Sequence, residues 1–269
     1  MKRCNAPAAL EKPAAARIWE LDAWRGLCVC LMILDHTLYD IGFLFGDIWQ
    51  AHPLLQGLAA VGDFACSVYW YSWPRMLVRA LVLASFIALC GISCSFSRSN
   101  LWRGMRLLVV ALLLSLVTWL ADRFLGVRDY MTIRFGVLHM LAISILAYHL
   151  VHRFHRHIVL AIGMLMIAMG LYFHYHPLPG SWMIGGILGV SPASFYSADY
   201  FPLLPWCGYL LAGAALGQRL YQNRRSRFPK GGGRGWQKAL CLVGRHALLV
   251  YVLHQPILYA FFSLLTHIF

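Results

Sequence analysis

The sequence predicts an all-α protein, a polytopic integral membrane helix bundle of about seven to eight transmembrane helices. Its composition is the first reason. The chain is 60% hydrophobic and 12% charged over 269 residues, with a mean hydropathy of +0.64. A soluble domain sits nearer about half apolar and a quarter charged. The second reason is length: the apolar runs suffice to cross ~30 Å of hydrocarbon at ~1.5 Å per helical residue. The third is where the charge lies. A formal charge of +13 would suit a nucleic-acid binder, but Lys and Arg cluster in short segments between apolar runs and no reader motif is present.

Taken in order, residues 1–22 form a cytoplasmic N-terminal segment with Lys2, Arg3, Lys12 and Arg17. It lacks an apolar core, so no cleavable signal is expected ahead of the first span. Residues 23–269 form one transmembrane domain, since no polar insertion is large enough for a second core. The first span covers 24–45. Segment 46–73 contains Asp47, His52 and Asp63 and is too interrupted to cross, so it reads as re-entrant or interfacial. Further spans follow at 77–96, at 107–120 closed by Asp122 and Arg123, at 135–151 and at 158–173. The apolar piece 182–190 is too short to cross. A sixth span covers 200–220 and a long seventh 238–265.

Alternation of seven spans puts Arg98, Arg103, Arg106, Arg153, Arg156 and the basic loop from Arg219 to Lys238 on the N-terminal side. The opposite loops carry Asp47, Asp63, Asp122, Asp129 and Asp199, against the dissent of Arg75, Arg79, Arg123, Arg128 and Arg134. The balance predicts a cytoplasmic N-terminus and an outward C-terminus. A crossing by 46–73 would change that parity.

One stripe concentrates the costly residues. Arg25 and His36 are eleven positions apart in an otherwise membrane-grade run. On a helix that spacing brings them within ~20° of one another and separates them by ~16 Å along the axis. Asp40 falls on the same stripe one turn beyond His36, and is a better orienting partner for it than Asp35, which points ~100° away. Ionisable groups at such depth normally face a protein interior or a wet cavity. Arg25 alternatively snorkels to the lipid interface.

Other candidates have plainer readings. Cys28, Cys30, Cys90, Cys94 and Cys207 fall in predicted spans, and Cys241 close to one. They read as small apolar core residues, and no metal site or disulfide framework is expected. Gly231-Gly232-Gly233, among Arg224, Arg225, Arg227, Lys230 and Arg234, reads first as a flexible basic loop meeting anionic lipid. The same run could cradle nucleotide phosphates, though without P-loop spacing. His152, His155 and His157 sit in a basic turn, and His174 and His176 at an interface.

Four blocks together resemble a known family. They are the opening from Arg17 through Asp22, Arg25-Gly26 and Asp35-His36, then Ile133-Arg134-Phe135-Gly136-Val137-Leu138-His139, then Asp199-Tyr200-Phe201-Pro202 through Trp206, and Gly244-Arg245-His246 through Tyr251 and His254-Gln255-Pro256. They are similar to bacterial relatives of heparan-α-glucosaminide N-acetyltransferase, and the first also to the broader transmembrane acyltransferase superfamily, in which an Arg-x10-His pattern opens the first helix.

The resemblance implies a multi-pass enzyme of the bacterial cytoplasmic (inner) membrane. It would move an acetyl group from cytoplasmic acetyl-CoA, its acyl donor and co-substrate, to an amino sugar or glycan hydroxyl outside. Its partners would be membrane lipids and that acceptor, with no nucleic acid; self-association into a homo-oligomer stays open. The heparan enzyme's active histidine follows the first span, and His52-Pro53-Leu54-Leu55-Gln56-Gly57-Leu58 stands in that place. The familiar Trp is missing there and Gln56 replaces Asn. His36 and His52 thus compete for one role.

Acyl transfer from a thioester needs a base for the acceptor's proton and positive or donor groups near the developing oxyanion. His36 is assigned as general base, with Asp40 orienting it and His52 as the alternative. Arg25, with Arg134 and Arg245 from the later blocks, is assigned to the donor's phosphates; Arg134 alternatively caps its helix. Asp199 and Tyr200 are assigned to the acceptor, with His139 and His254 lining the same cavity. A small-molecule or glycolipid transporter is the main rival, since charged groups and Pro-broken spans are natural there too. A non-catalytic scaffold would leave these groups in lipid without a task.

Overall fold

The computed structural model describes residues 18–126, 131–180, 183–191, 195–229 and 231–268. The basic N-terminal residues Lys2, Arg3, Lys12 and Arg17, together with Arg128, Asp129, Trp182 and Lys230, lie outside the described residues. Among the described residues the fold is helical throughout, without a strand.

Helix α1 (Trp19–Tyr39) starts with Glu20 and Asp22 in its first turn, where carboxylates complement the helix dipole. It runs through a π-helical turn at Asp40–Phe45 into α2 (Gly46–Gln50), making a rod of 32 residues. A short 3-10 turn at Pro53–Leu55 reverses the chain into α3 (Gln56–Phe64), which ends in a second π-helical turn at Ala65–Tyr69. Segment 46–73 is thus a helical arm folded back along the distal part of the rod. Its shared core joins Trp49, Leu55 and Ala59 with Phe45 and Phe262.

Helix α4 (Trp73–Phe96) has a proline in its first turn, where the missing N–H costs nothing. Helix α5 (Asn100–Leu125) is N-capped by Ser99, whose side chain accepts from the Trp102 N–H, and ends on Gly126 at φ 67°. There follow α6 (Val137–Val151), α7 (Arg156–Tyr175), the short α8 (Met183–Leu188), α9 (Leu203–Leu220), α10 (Gly235–Arg245) and α11 (Ala247–Ile268). The long seventh span expected at 238–265 is therefore two helices, parted at His246. The break falls at Gly244-Arg245-His246, where a glycine weakens the helix and α10 comes closest to α1. Gly26 and Gly244 face each other there, and a Cβ on either would collide with the other helix's backbone.

Side-chain pairs set the register. Asp35 with Arg75 and Arg25 with Ser93 make α4 antiparallel to α1. Cys241 on Trp19, Gln255 on Asp40 and Trp49 on Thr266 carry α10 and α11 parallel to the rod along its whole length. Ser115 on His139 makes α6 antiparallel to α5. The main core gathers Ile87 of α4, Met140 and Ile145 of α6 and Leu210 and Leu211 of α9. Helix α6 lies innermost, with nine buried residues in fifteen.

The exterior is apolar. Leu112, Leu113, Leu116 and Val117 on α5 and Met164 and Leu165 on α7 all point outward. Only 11% of the most apolar window of α5 is buried, so its oily surface has no protein to cover it and belongs in lipid. Among the described residues five helices are long and apolar enough to cross a membrane, and α6 is a shorter apolar helix. The chain is a polytopic membrane helix bundle. Arg98, Arg103, Arg153, Arg156, Arg219 and Arg224 lie at one end of these helices, called here the basic end.

Candidate active site

The predicted stripe on α1 leads into three other helices. His36 Nδ1 lies 2.9 Å from the Met32 carbonyl oxygen, one turn back on its own helix. A carbonyl can only accept, so Nδ1 carries the hydrogen and Nε2 of the neutral ring carries the lone pair. The ring meets His254 of α11 edge to face, with centroids 4.9 Å apart. His254 repeats the arrangement: its Nδ1 lies 2.6 Å from the Tyr251 carbonyl oxygen. Its Nε2 is buried and finds no hydrogen-bond partner among the described residues. Two imidazoles of matching tautomer thus stand together, each with an Nε2 base.

Asp40 is fully buried and accepts two hydrogen bonds from Gln255 Nε2, at 2.8 and 3.0 Å. This corrects the expectation that Asp40 orients His36; the Met32 carbonyl does that. Asp35, as its direction on the helix required, leaves the stripe. It forms a two-pronged ion pair with Arg75 at 2.7 and 2.8 Å and accepts from Tyr69 OH at 3.0 Å. The Arg75 guanidinium lies 3.7 Å above the Trp70 ring. This cluster pins α1 to the start of α4 and the end of the folded-back arm.

From His254 the polar chain continues. Tyr251, three residues back, stacks obliquely on it at 5.9 Å and donates its hydroxyl to Asp199 Oδ2 at 2.6 Å. The same carboxylate oxygen accepts from the Val137 N–H at 3.0 Å. It therefore seats on the N-terminus of α6, where negative charge is favoured. Gly136 makes this seat: a Cβ there would press on the Asp199 carboxylate and backbone. His139 caps the same helix end by accepting from the Gly136 N–H at 3.3 Å on Nδ1. Its Nε2–H therefore points to Ser115 Oγ, 3.2 Å away, and Ser115 in turn donates to the Ile133 carbonyl.

The four sequence blocks accordingly meet along one line, from His36 through His254, Tyr251 and Asp199 to the first turn of α6. Tyr251 and Gln255 carry assignments that sequence reasoning missed. Their signal was available, because Tyr251, His254 and Gln255 stand at i, i+3 and i+4 and share a helix face.

The remaining candidates are dispersed. Arg25 donates to Asp22 at 3.2 Å and to Ser93 Oγ at 2.7 Å. Arg245 reaches the same Asp22 at 3.5 Å, so these two arginines form one group near the basic end. Arg134 does not join them. It precedes α6, whose fifteen residues put ~22 Å of helix between it and the basic end. It lines a cleft of about 430 Å³ with Arg123, Trp119 and Ser115. The expectation that all three arginines share one site is therefore corrected: Arg25 and Arg245 stand together and Arg134 stands apart. His52 precedes the 3-10 turn at the tip of the arm, ~20 Å beyond His36 by helical rise. Tyr200 is also engaged, donating its hydroxyl to the Gly186 carbonyl at 2.5 Å.

Among the described residues Cys28, Cys94, Cys207 and Cys241 are buried free thiols, and Cys30, Cys66 and Cys90 are half-buried ones. No cluster of three or more His, Cys, Asp or Glu that could hold a metal occurs among the described residues.

A family model described as heparan-α-glucosaminide N-acetyltransferase, catalytic, matches residues 17–256. None of the curated proteins and none of the solved structures compared with the chain matches it. The matched region takes in all four blocks and the whole polar line.

Proposed function

The chain belongs to the heparan-α-glucosaminide N-acetyltransferase catalytic family, and on that premise we propose that it transfers an acetyl group from coenzyme A to an amino-sugar nitrogen or a glycan hydroxyl across the bacterial cytoplasmic membrane. The basic end is the cytoplasmic one by the positive-inside rule. Acetyl-CoA enters there, with Arg25 and Arg245 on the donor side. The acceptor arrives from the opposite end, where Asp199 meets α6.

His36 acts as the general base. Its Nε2 takes the proton from the acceptor's N–H or O–H as that nitrogen or oxygen attacks the thioester carbonyl carbon. A C–N or C–O bond forms and the C–S bond breaks. The electron pair leaves on sulfur, and the proton on His36 passes to that thiolate, giving coenzyme A as its thiol. His254, whose ring meets that of His36 edge to face, carries a second Nε2 lone pair beside the base. Its orientation is held through Tyr251, and Tyr251 is held by Asp199. Transfer through an acetyl group held covalently on a histidine nitrogen would use the same Nε2 position.

The observation that carries this reading is the pair of imidazoles with Nδ1 fixed on backbone carbonyls, at the convergence of all four family blocks. A structural histidine spends both nitrogens on hydrogen bonds, as His139 does.

The test is acetyl transfer by purified protein with acetyl-CoA and a panel of glucosamine-type acceptors, read as free thiol release. His36→Ala is expected to lose about 10²–10⁴-fold, the usual worth of a positioned base, while His52→Ala stays near wild type. Loss in His52→Ala with full activity in His36→Ala would move the base to the tip of the arm. Solute movement without thiol release would favour a transporter instead.

A further inference from the structure

At the basic end, the segment expected to be a flexible loop is pinned to α1 and builds a pocket of about 660 Å³. Glu20 accepts from Ser226 Oγ at 2.7 Å and from the Arg227 N–H at 2.8 Å. Trp19 Nε1 donates to the Phe228 carbonyl at 2.8 Å. Gly231 and Gly232 lie against the Trp19 indole so closely that a Cβ on either would run into the ring. Gly232 also stands at φ 85°, in the left-handed region. The glycine run is thus shaped to the indole. Gln237 Oε1 then accepts from the N–H groups of Gly232 and Arg234, at 2.9 and 3.2 Å, and fixes the turn into α10.

What this leaves facing the pocket is cationic and donor-rich. Arg227 and Arg234 line it, as do Gly231, Gly233 and the exposed ring of Phe228. Gly233 and Gly235 have open space where a side chain would stand. The backbone at the start of α10 is therefore open to close approach by a ligand. Two guanidiniums, a helix N-terminus, a glycine turn and an aromatic face form a site for a phosphorylated nucleoside. The volume is that of a small-molecule site.

We infer that this pocket binds the 3′-phosphorylated adenosine diphosphate head of coenzyme A, an assignment that rests on the donor chemistry proposed above. Geometry supports it along α1. Trp19 and His36 are seventeen residues apart, ~26 Å of helical rise, and Arg25, Asp22 and Arg245 lie between them. A nucleotide held at the surface, with a long thin arm carrying the thioester inward, spans that gap. Phosphate is also the chemistry of anionic lipid headgroups, and the test separates the two sources.

The test is binding of desulfo-coenzyme A to the detergent-purified full chain, measured by titration calorimetry. Arg227→Gln/Arg234→Gln is expected to bind it at least tenfold more weakly than wild type. Arg234→Gln alone, which leaves the backbone bonds of the turn in place, is expected to move the same way. Wild type should also prefer desulfo-coenzyme A to its 3′-dephosphorylated form, and the double variant should lose that preference. Wild-type affinity in the double variant, with reduced binding to phosphatidylglycerol nanodiscs, would overturn the assignment, make the loop a lipid contact and leave the acetyltransferase reading standing. Absence of desulfo-coenzyme A binding in wild type would sink that reading and this inference with it.

Discussion

Tyr251→Phe isolates one link of the polar line. The substitution keeps the ring, and with it the packing on His254, and it keeps the backbone carbonyl that holds His254 Nδ1. It deletes only the 2.6 Å hydrogen bond to Asp199 Oδ2. A bond to a charged acceptor is worth about 1.5–3 kcal/mol. Asp199 retains the Val137 N–H, so it is not stripped bare and the bundle should still fold. If Tyr251 is held for catalysis, the loss appears in turnover. At ~1.36 kcal/mol per factor of ten, kcat should fall about 10–100-fold, with KM for acetyl-CoA little changed. The assay is thiol release at saturating donor, paired with a thermal melt in the same detergent. A cycle with Asp199→Asn adds the decisive comparison, because partners in one interaction are non-additive. Wild-type turnover in Tyr251→Phe, or strict additivity in the cycle, would refute the view that this line works as a unit.

Further predictions concern the frame around it. Arg75→Ala leaves the half-buried Asp35 carboxylate without its two-pronged partner, which should cost about 3–5 kcal/mol and lower the melting temperature. Asp35→Asn combined with Arg75→Gln should recover much of that loss, and a single variant as stable as wild type would refute the pairing. Gly244→Val should abolish a monodisperse bundle on size exclusion, because its side chain would strike the Asp22 carbonyl on α1. Ser115→Ala takes away the partner of the buried His139 Nε2–H and should cost about 1–3 kcal/mol of stability. Its turnover per folded molecule should be unchanged, and a selective loss of rate would make His139 part of the chemistry.

Helical periodicity made part of this site readable. The eleven-residue interval put Arg25 and His36 on one face of α1, and the direction of Asp35 off that face was legible too. What periodicity cannot supply is which helix that face meets. His254 and Tyr251 reach His36 and Asp199 only because α10 and α11 run parallel to α1, and that follows from the Gly26–Gly244 contact between distant segments. Asp40 was misassigned for the same reason: its proximity to His36 in sequence was visible, and Gln255 was not. The long seventh helix shows a related failure. Its apolar run is interrupted at Gly244-Arg245-His246, a local signal that the expectation of one long span passed over, and the break falls where α10 packs on α1.

The polar line also bears on why such a bundle carries these groups at all. A buried polar network is tolerable when every member is paired, and an unpaired buried donor or acceptor costs about 1–3 kcal/mol. Asp199, Tyr251 and Asp40 meet that standard through named partners. His254 Nε2 and Gln255 Oε1 do not; both are buried and neither finds a partner among the described residues. The two atoms stand one residue apart on α11, flanking His36 and Asp40. A network kept only for fold specificity would gain by replacing them with apolar groups of similar volume. Two such acceptors beside a base of fixed tautomer suit the acetyl transfer proposed above. On the proposed chemistry an attacking amine keeps one hydrogen after His36 takes the other, and an acceptor beside the base would hold it, whereas a hydroxyl has none left to place.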